Sequence, residues 1–318
     1  MKNICKIAVL LAVVLMLFCV TGCGDNAGGT PSSGTQPQTQ TPSGGTQTQT
    51  PSGGTQTQTP AEPPFVARVT PLTLEAINAG TITLSNPGCM TNLRYRKNGG
   101  NFVSVTADAN TITVAAGDKI AFYADDSLNQ TGSYFHIVCD HDCYVYGNVM
   151  SLLSSSSFAD VNSVPQRAFY GLFFGNTNIK NHPSKTLVLP ATTLANNCYG
   201  AMFYGCTGLT SAPVLPATTL ADYCYYTMFF GCTGLTSAPA LPATTLVSNC
   251  YNAMFSGCSS LNSVTCLATN ISTSGYTTNW LNGVASTGTF TKPSSMTSWS
   301  TGVSGIPSGW DIQPYSAQ

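Results

Sequence analysis

The sequence predicts a small antiparallel β-sandwich-like domain followed by an α/β solenoid of 26-residue repeats. Three observations support this fold class: Thr alternates with aliphatic residues in the middle of the chain, a motif recurs every 26 residues in the second half, and the composition changes sharply near the N-terminus. Of the 318 residues only 7% are charged, against about 25% in typical soluble proteins, and the formal net charge is −1. This balance argues against a basic nucleic-acid-binding protein, and no nucleic-acid partner is expected.

Residues 1–22 have the pattern of an export signal. Lys2 and Lys6 precede an unbroken apolar run over residues 7–20, and a run of 14 residues is shorter than the ~20 that cross a bilayer as a helix. The run ends in Val-Thr-Gly before Cys23, a pattern that resembles the lipobox of bacterial lipoproteins, in which the cysteine is lipidated and becomes the mature N-terminus. An ordinary cleaved secretory signal, or an uncleaved anchor, is the alternative.

The lipobox resemblance implies a lipid-anchored protein of the bacterial cell envelope, in the outer membrane or at the cell surface. Its membrane contact would be made through lipid alone. After Cys23, the residues up to 64 are mostly Gly, Ser, Thr, Gln and Pro. This segment has no apolar periodicity, so we expect residues 23–64 to form a lipidated, flexible linker that ends at the folded part of the chain.

Residues 65–153 are predicted to form the β-rich domain. Short runs in which Thr alternates with Ile, Leu or Val have the period of two that is typical of half-buried antiparallel strands. Segments rich in Gly and Asn, such as residues 98–100, separate these runs and supply turn residues. The predicted strands cover residues 72–74, 81–84, 101–105, 111–114 and 120–123.

One cluster in this domain combines residue types that bind metals. Cys139, His141 and Cys143 follow a Cys-x-His-x-Cys spacing, whereas structural zinc sites usually pair cysteines two residues apart in a turn. On a strand, this spacing separates side chains of the same face by about 6.5–7 Å, which is wide for one tetrahedral ion. The three residues are therefore weak metal candidates and no metal is predicted. A disulfide among Cys89, Cys139 and Cys143, or packed free thiols, is favoured.

A repeat occupies most of the second half of the chain. The motif Leu-Pro-Ala-Thr-Thr-Leu begins at Leu189, Leu215 and Leu241, so its period is 26 residues. Imperfect copies precede and follow these three, as the ends of a repeat array require. We therefore assign residues 154–275 to the solenoid and residues 276–318 to a C-terminal cap.

Each repeat is predicted to contain one helix and one extended segment. Cys224, Met228 and Cys232 stand four residues apart, which gives an apolar stripe at helical spacing and predicts a helix over residues 221–230. Residues 235–242 contain two prolines, which exclude a helix and limit the segment to a short strand. Because cysteines recur at the same place in every repeat, we expect buried columns of free thiols in preference to disulfides or metal sites.

The complete repeat pattern is Leu-Thr-Ser-Ala-Pro-x-Leu-Pro-x-x-x-Leu, followed by Cys-Tyr, Met-Phe and Gly-Cys. It resembles the BspA-like leucine-rich repeats of bacterial surface proteins, and the resemblance covers about residues 168–266. It implies a curved α/β leucine-rich-repeat-like solenoid on an exported protein and, for some members of the family, adhesion to host matrix proteins or to other cells. It supplies no catalytic residue. Pro213 and Pro239 depart from the pattern and shorten the expected strand.

Catalytic chemistry is not expected in the repeats. Between residues 186 and 318 the only charged side chains are Asp222, Lys292 and Asp311, and there is no His. A glycosidase needs two positioned carboxylates, and a hydrolytic triad needs a His with its orienting acid. The β-rich domain could in principle supply His136, His141 and several Asp residues, and an enzyme there is the alternative. The favoured prediction is that the protein is not an enzyme and needs no cofactor.

A binding or display function remains. A rigid repeat scaffold rich in Thr, Ser, Asn and Tyr suits contact with a host or neighbouring-cell protein or glycan. The predicted binding face comprises Thr210, Ser211, Thr236 and Ser237. The alternative is a structural surface antigen or scaffold without a dedicated ligand. Exposed aromatic rings favour binding and a small, polar surface favours display, and the sequence leaves open whether Tyr199 and its equivalents lie in the core or at the surface.

Overall fold

The computed structural model describes residues 66–127 and 133–316, so the predicted signal, Cys23 and the linker lie outside the described residues. The described ranges contain strands, turns and short 3-10 helices but no α-helix. A search of the same ranges finds no helix with the length and apolar character of a membrane span. The chain divides into two units, of which residues 61–318 are compact and hold one continuous hydrophobic core.

The strands of the first half follow the alternation in the sequence. In chain order, the strands of the described residues are β1 (Thr73–Ala76), β2 (Gly80–Ser85), β3 (Met90–Thr91), β4 (Arg94–Lys97), β5 (Phe102–Ser104), β6 (Thr111–Val114), β7 (Lys119–Tyr123), β8 (Asp126–Ser127), β9 (His136–Cys139), β10 (Cys143–Asn148), β11 (Ile179–Asn181), β12 (Leu187–Val188), β13 (Ser263–Thr265), β14 (Gly288–Lys292) and β15 (Trp310–Pro314). The 3-10 helices are Pro87–Cys89 and Val149–Leu152. In β6, the two Thr side chains are exposed, whereas Ile112 and Val114 are buried in the core.

The largest sheet joins the first half of the chain to the repeats. Its strand order is β11-β10-β1-β7-β4-β5, and β12 also pairs with β10. Neighbours from β10 to β5 are antiparallel, whereas β10 is parallel to β11 and β12. Strands β6-β2-β9 form an antiparallel sheet, β3 pairs with β8, and β13-β14-β15 form a parallel sheet. The predicted antiparallel sandwich-like domain followed by an α/β solenoid is wrong, because mixed pairing carries one sheet into the repeats.

The segment predicted as a helix over residues 221–230 is a coil of consecutive turns. Every fourth residue has a left-handed backbone, with φ of 58° at Tyr223, 49° at Thr227 and 69° at Gly231. The neighbouring copies have the same spacing of positive φ, at Asn197, Ala201 and Gly205 and at Asn249, Ala253 and Gly257. An α-helix contains no such residues, so the α/β leucine-rich-repeat solenoid predicted from the sequence is wrong.

Backbone hydrogen bonds join each turn coil to the next. The N–H groups alternate in direction: Met228 N donates to Tyr225 O within its own coil at 3.2 Å, and Phe229 N donates to Met254 O of the following repeat at 2.9 Å. Backbone groups are therefore satisfied between repeats rather than along a helix. We call this array of coils, residues 167–283, the repeat stack.

A period of four residues explains why the sequence pattern indicated a helix. Cys224, Met228 and Cys232 are completely buried and lie on one side of their coil. In an α-helix, with 3.6 residues per turn, residues four apart drift by about 40° per step. Over nine residues both geometries therefore produce an apolar stripe, and the stripe alone does not separate them.

Two columns of stacked rings form the centre of the repeat stack. They are Phe169, Tyr199, Tyr225, Tyr251 and Trp280, and Phe173, Phe203, Phe229 and Phe255. Neighbouring ring centroids lie 5.3–6.1 Å apart, and every ring is almost completely buried. Tyr199 and its equivalents are therefore core residues and not part of a binding surface.

The cysteines of the repeats form two further buried columns. They are Cys198, Cys224 and Cys250, and Cys206, Cys232 and Cys258. In the second column each thiol donates to a Phe carbonyl oxygen of the preceding repeat, as Cys232 does to Phe203 O at 3.0 Å. All ten cysteines of the described residues are free thiols. Burial raises the pKa of Cys198 and of Cys266 to about 12.

We expect nine of these ten thiols to be unreactive in the folded protein. The thiolate is the form that attacks N-ethylmaleimide, so labelling requires both access and a thiol pKa low enough to supply it. A chain of residues 24–318 at neutral pH should take up at most one label, at the half-buried Cys89, and all ten should react in concentrated guanidinium without reductant. Mass spectrometry counts the labels. As the control, the Cys89→Ser variant should remain unlabelled until it is unfolded. Labels on repeat cysteines of the folded chain would contradict their burial, and fewer than ten after unfolding would indicate disulfides.

Candidate functional site

The predicted binding face lies at the surface of the repeat stack. Thr210, Ser211, Thr236 and Ser237 are all exposed. Ser211 and Ser237 form a parallel β-bridge, and the Thr236 hydroxyl donates to Thr210 O at 3.4 Å. We call these four residues the hydroxyl row. It contains only short polar side chains, so by itself it has the character of a display surface, and its role in binding stays a prediction.

Half-exposed aromatic side chains form a second surface, on the turn coils and on the segment just before β9. We call them the aromatic strip: Tyr134, Tyr170, Phe174, Tyr204, Tyr223, Tyr226 and Phe230. Phe174, Tyr204 and Phe230 stack face to face, with centroids 4.6 Å apart at both steps and ring planes within 13° of parallel. Phe174 is 46% exposed and Tyr223 is 38% exposed.

Tyrosines extend the strip beyond the stacked column. Tyr134 packs on Tyr170 with ring centroids 4.4 Å apart, and Tyr223 meets Tyr226 edge to face at 5.8 Å. Tyr170 also lies over Gly200, where a Cβ atom would come within 2.7 Å of its ring. The absence of a side chain at position 200 therefore allows the Tyr170 ring to spread over the next repeat.

The strip carries little charge. The charged residues beside it on the turn coils are Arg167, three residues before Tyr170, and Asp222, next to Tyr223. Burial and the neighbouring tyrosines raise the pKa of Tyr170, which keeps its hydroxyl neutral and able to donate hydrogen bonds at physiological pH. Contacts made by this surface therefore depend on apolar area and neutral hydrogen bonds.

Sequence reasoning missed the aromatic strip because it asked only whether Tyr199 and its equivalents lie in the core or at the surface, and did not separate the two rings of each aromatic doublet. The signal was the doublet Phe229-Phe230, whose first ring faces the core and whose second ring faces outward. In the next copy the doublet becomes Phe255-Ser256. The core position keeps its ring in this copy, whereas the second position holds a buried serine.

The weak metal candidates converge at a turn instead of lying along one strand. Cys139 ends β9, Cys143 begins β10, and His141 lies in the turn that joins them. His141 Nδ1 is 2.9 Å from Asp140 Oδ1, and His141 Nε2 is 3.1 Å from Cys143 Sγ. Gly80 permits this arrangement, because a Cβ there would collide with the His141 ring. The predicted separation along a strand is therefore wrong.

This cluster has no access to a substrate. Cys143 is completely buried, and its thiol shares a hydrogen bond with Cys139, which with burial raises the pKa of Cys143 far above its ordinary value and lowers that of Cys139. A buried, protonated thiol is not a nucleophile. Among the described residues, no group of three or more His, Cys, Asp or Glu side chains is arranged to hold a metal ion.

Comparison with protein-family models, with curated proteins and with solved structures finds no match to this chain. The resemblance to BspA-like proteins therefore stays a prediction, and Cys23, on which the predicted anchor depends, lies outside the described residues.

Proposed function

We propose that the protein is a non-enzymatic lipoprotein of the bacterial cell envelope that binds a protein outside the cell through the aromatic strip. The observation that carries this proposal is the strip itself, a set of half-exposed aromatic rings gathered on one surface of the protein. Tyrosine and phenylalanine are enriched in protein interfaces, where each ring supplies a large contact area. The sequence of Cys23 and its preceding apolar run supports export and anchoring.

The geometry of the stacked column favours a protein partner over a glycan. A sugar ring binds an aromatic residue by lying on its face, but both faces of Tyr204 are covered, by Phe174 and by Phe230. Tyr204 therefore offers its ring edge and its hydroxyl, which suit apolar and hydrogen-bonding side chains of another protein. Glycan binding is thus the less favoured form of the adhesin-like function.

The hydroxyl row favours a second candidate function. Its short polar side chains are the surface expected of a structural antigen or scaffold that has no dedicated ligand. The two functions make different demands on the chain, because a display surface tolerates loss of the outer rings and a binding surface does not.

Matched substitutions on the two surfaces distinguish these functions. Phe230→Ser copies the residue that the next repeat carries at the equivalent position, Ser256, so the fold is expected to tolerate it. On arrays of matrix proteins, cell-surface proteins and glycans, we expect the unmodified chain to bind a protein. Phe230→Ser should weaken that binding by about tenfold or more, as loss of an interface ring does, and Thr236→Ala should not.

Two accompanying measurements complete the test. Binding should change little with added salt, because the strip carries few charges. On intact cells, protease should cleave the compact unit, and Cys23→Ala should remove the chain from the membrane fraction. Absence of any array partner would favour the display function, a hit confined to glycans would contradict a protein partner, and full protection on intact cells would contradict surface exposure.

A further inference from the structure

A cavity of about 540 Å³ opens where the regular spacing of the repeats is broken. Phe169 stacks on Tyr199, 30 residues later, whereas Tyr199 stacks on Tyr225, only 26 residues later. The extra residues belong to the segment that carries β11 and β12, and this segment forms one wall of the cavity. The cavity thus belongs to the junction of β10 with the repeat stack and is not a repeated feature of the stack.

Most of the wall is apolar. The apolar residues that line it are Val145, Leu187, Val188, Leu189, Pro190, Phe203, Leu209, Ala212, Pro213, Val214 and Pro216. Val214 is 75% exposed, which is unusual for a Val side chain and places it at the mouth. The volume lies within the roughly 300–1,000 Å³ range of sites that bind small molecules.

The charged residues of the wall are all basic. Arg68 and Lys185 line the cavity, and no Asp or Glu does. Lys185 Nζ is 3.1 Å from Glu75 Oε2, so a carboxylate behind the wall balances its charge. Arg68 Nε donates to Ala159 O, and within the described residues no carboxylate lies within ion-pair distance of Arg68. One guanidinium charge therefore remains for a ligand.

We propose that this cavity binds a small molecule with an apolar body and one acidic group. The body would lie against partly exposed apolar side chains of the wall such as Leu187 and Pro213, and the acid would meet the guanidinium of Arg68, whose planar donors match a carboxylate. A free aliphatic or aromatic acid and the C-terminus of a peptide with an apolar last residue share this chemistry. The site is separate from the aromatic strip and does not depend on the function proposed for the strip.

Two dyes with the same apolar body test the role of the charge. The anionic dye 1-anilinonaphthalene-8-sulfonate and its uncharged analogue N-phenyl-1-naphthylamine are titrated into residues 24–318, a chain that contains the whole compact unit. We expect saturable binding of one dye molecule per chain, with the sulfonate bound about tenfold more tightly, as one charge-assisted hydrogen bond provides. Arg68→Gln should remove this preference, and Arg68→Lys should retain part of it.

A matched pair of charge substitutions tests the location. Val214 and Ala240 occupy equivalent exposed positions in consecutive repeats, and only Val214 lines the cavity. Val214→Glu should weaken binding of the sulfonate about tenfold or more, and Ala240→Glu should leave it unchanged. Since both positions are exposed, the thermal unfolding midpoints of the two variants should agree with that of the parent chain.

Competition by decanoate, or by a short peptide ending in Leu, would then identify which source of the acid fits the cavity. The proposal would be overturned by equal affinity for the two dyes, by unchanged binding in Arg68→Gln, or by equal effects of the two Glu substitutions. Phe230→Ser should not alter dye binding, so failure of the cavity proposal is distinguishable from failure of the proposed function.

Discussion

Replacing Phe229 by Ala is expected to lower the free energy of unfolding by about 3–5 kcal/mol, the usual cost of removing a buried phenylalanine ring. Phe229 is completely buried and stacks on Phe203 at 5.3 Å and on Phe255 at 5.6 Å. Its loss leaves a cavity in the centre of the repeat stack and removes two ring contacts at once. Partial collapse is hindered because the backbone on both sides is held by hydrogen bonds between repeats.

The adjacent residue provides the control. Phe230→Ala removes a ring of the same size from the aromatic strip, where it is half-buried and stacks on one neighbour, Tyr204. We expect a loss of about 1 kcal/mol, the scale of an aromatic pair contact. Guanidinium unfolding of residues 24–318, followed by circular dichroism, measures both changes. Equal losses for the two variants would contradict the assignment of one ring to the core and the other to the surface.

The 26-residue spacing of the repeats was predictable from the sequence. The backbone conformation within each repeat was not. The 26-residue step correctly relates residues that stack, such as Tyr225 and Tyr251. The turn coil needs a left-handed residue at every fourth position, and Gly and Asn are the residues that adopt this conformation most readily. Asn249 and Gly257 supply that signal eight residues apart, but Ala253 between them does not. In the preceding repeat only Gly231 supplies the signal, because Tyr223 and Thr227 occupy the other two left-handed positions.

The candidate surfaces were also predictable only where they depend on neighbouring residues in the sequence. Contacts between residues distant in the sequence were not predictable. Exposure of the hydroxyl row followed from short polar residues beside prolines, which is a local property of the sequence. The spread of Tyr170 over Gly200 depends on a contact between residues 30 positions apart. Likewise, the turn that brings His141 to Cys143 needs space that Gly80 provides from a different strand. Neither contact has a signature in the spacing of neighbouring residues.

Gly147 is the residue whose substitution is expected to damage the junction between the first half of the chain and the repeat stack most severely. It lies in β10, which is antiparallel to β1 and parallel to β12, and its φ is +87°. A Cβ atom there would collide with Pro71 O and approach Thr70 O at 3.0 Å. Since these are backbone atoms of a paired segment, they have no side-chain freedom with which to move away.

Gly147→Ala is therefore expected to cost about 1–2 kcal/mol for the left-handed backbone and a further 1–3 kcal/mol for the collision, lowering the free energy of unfolding by roughly 2–5 kcal/mol. Gly117 is the matched control, because its φ is +84° and a Cβ there meets nothing within 4 Å. Gly117→Ala should therefore cost only the backbone contribution, about 1–2 kcal/mol.

Both free energies of unfolding are measured by guanidinium unfolding of residues 24–318. If the two substitutions cost the same, the close approach of β10 to residues 70–71 does not hold the junction. If Gly147→Ala alone is severely destabilised, the close approach of β10 to residues 70–71 is part of what holds the junction.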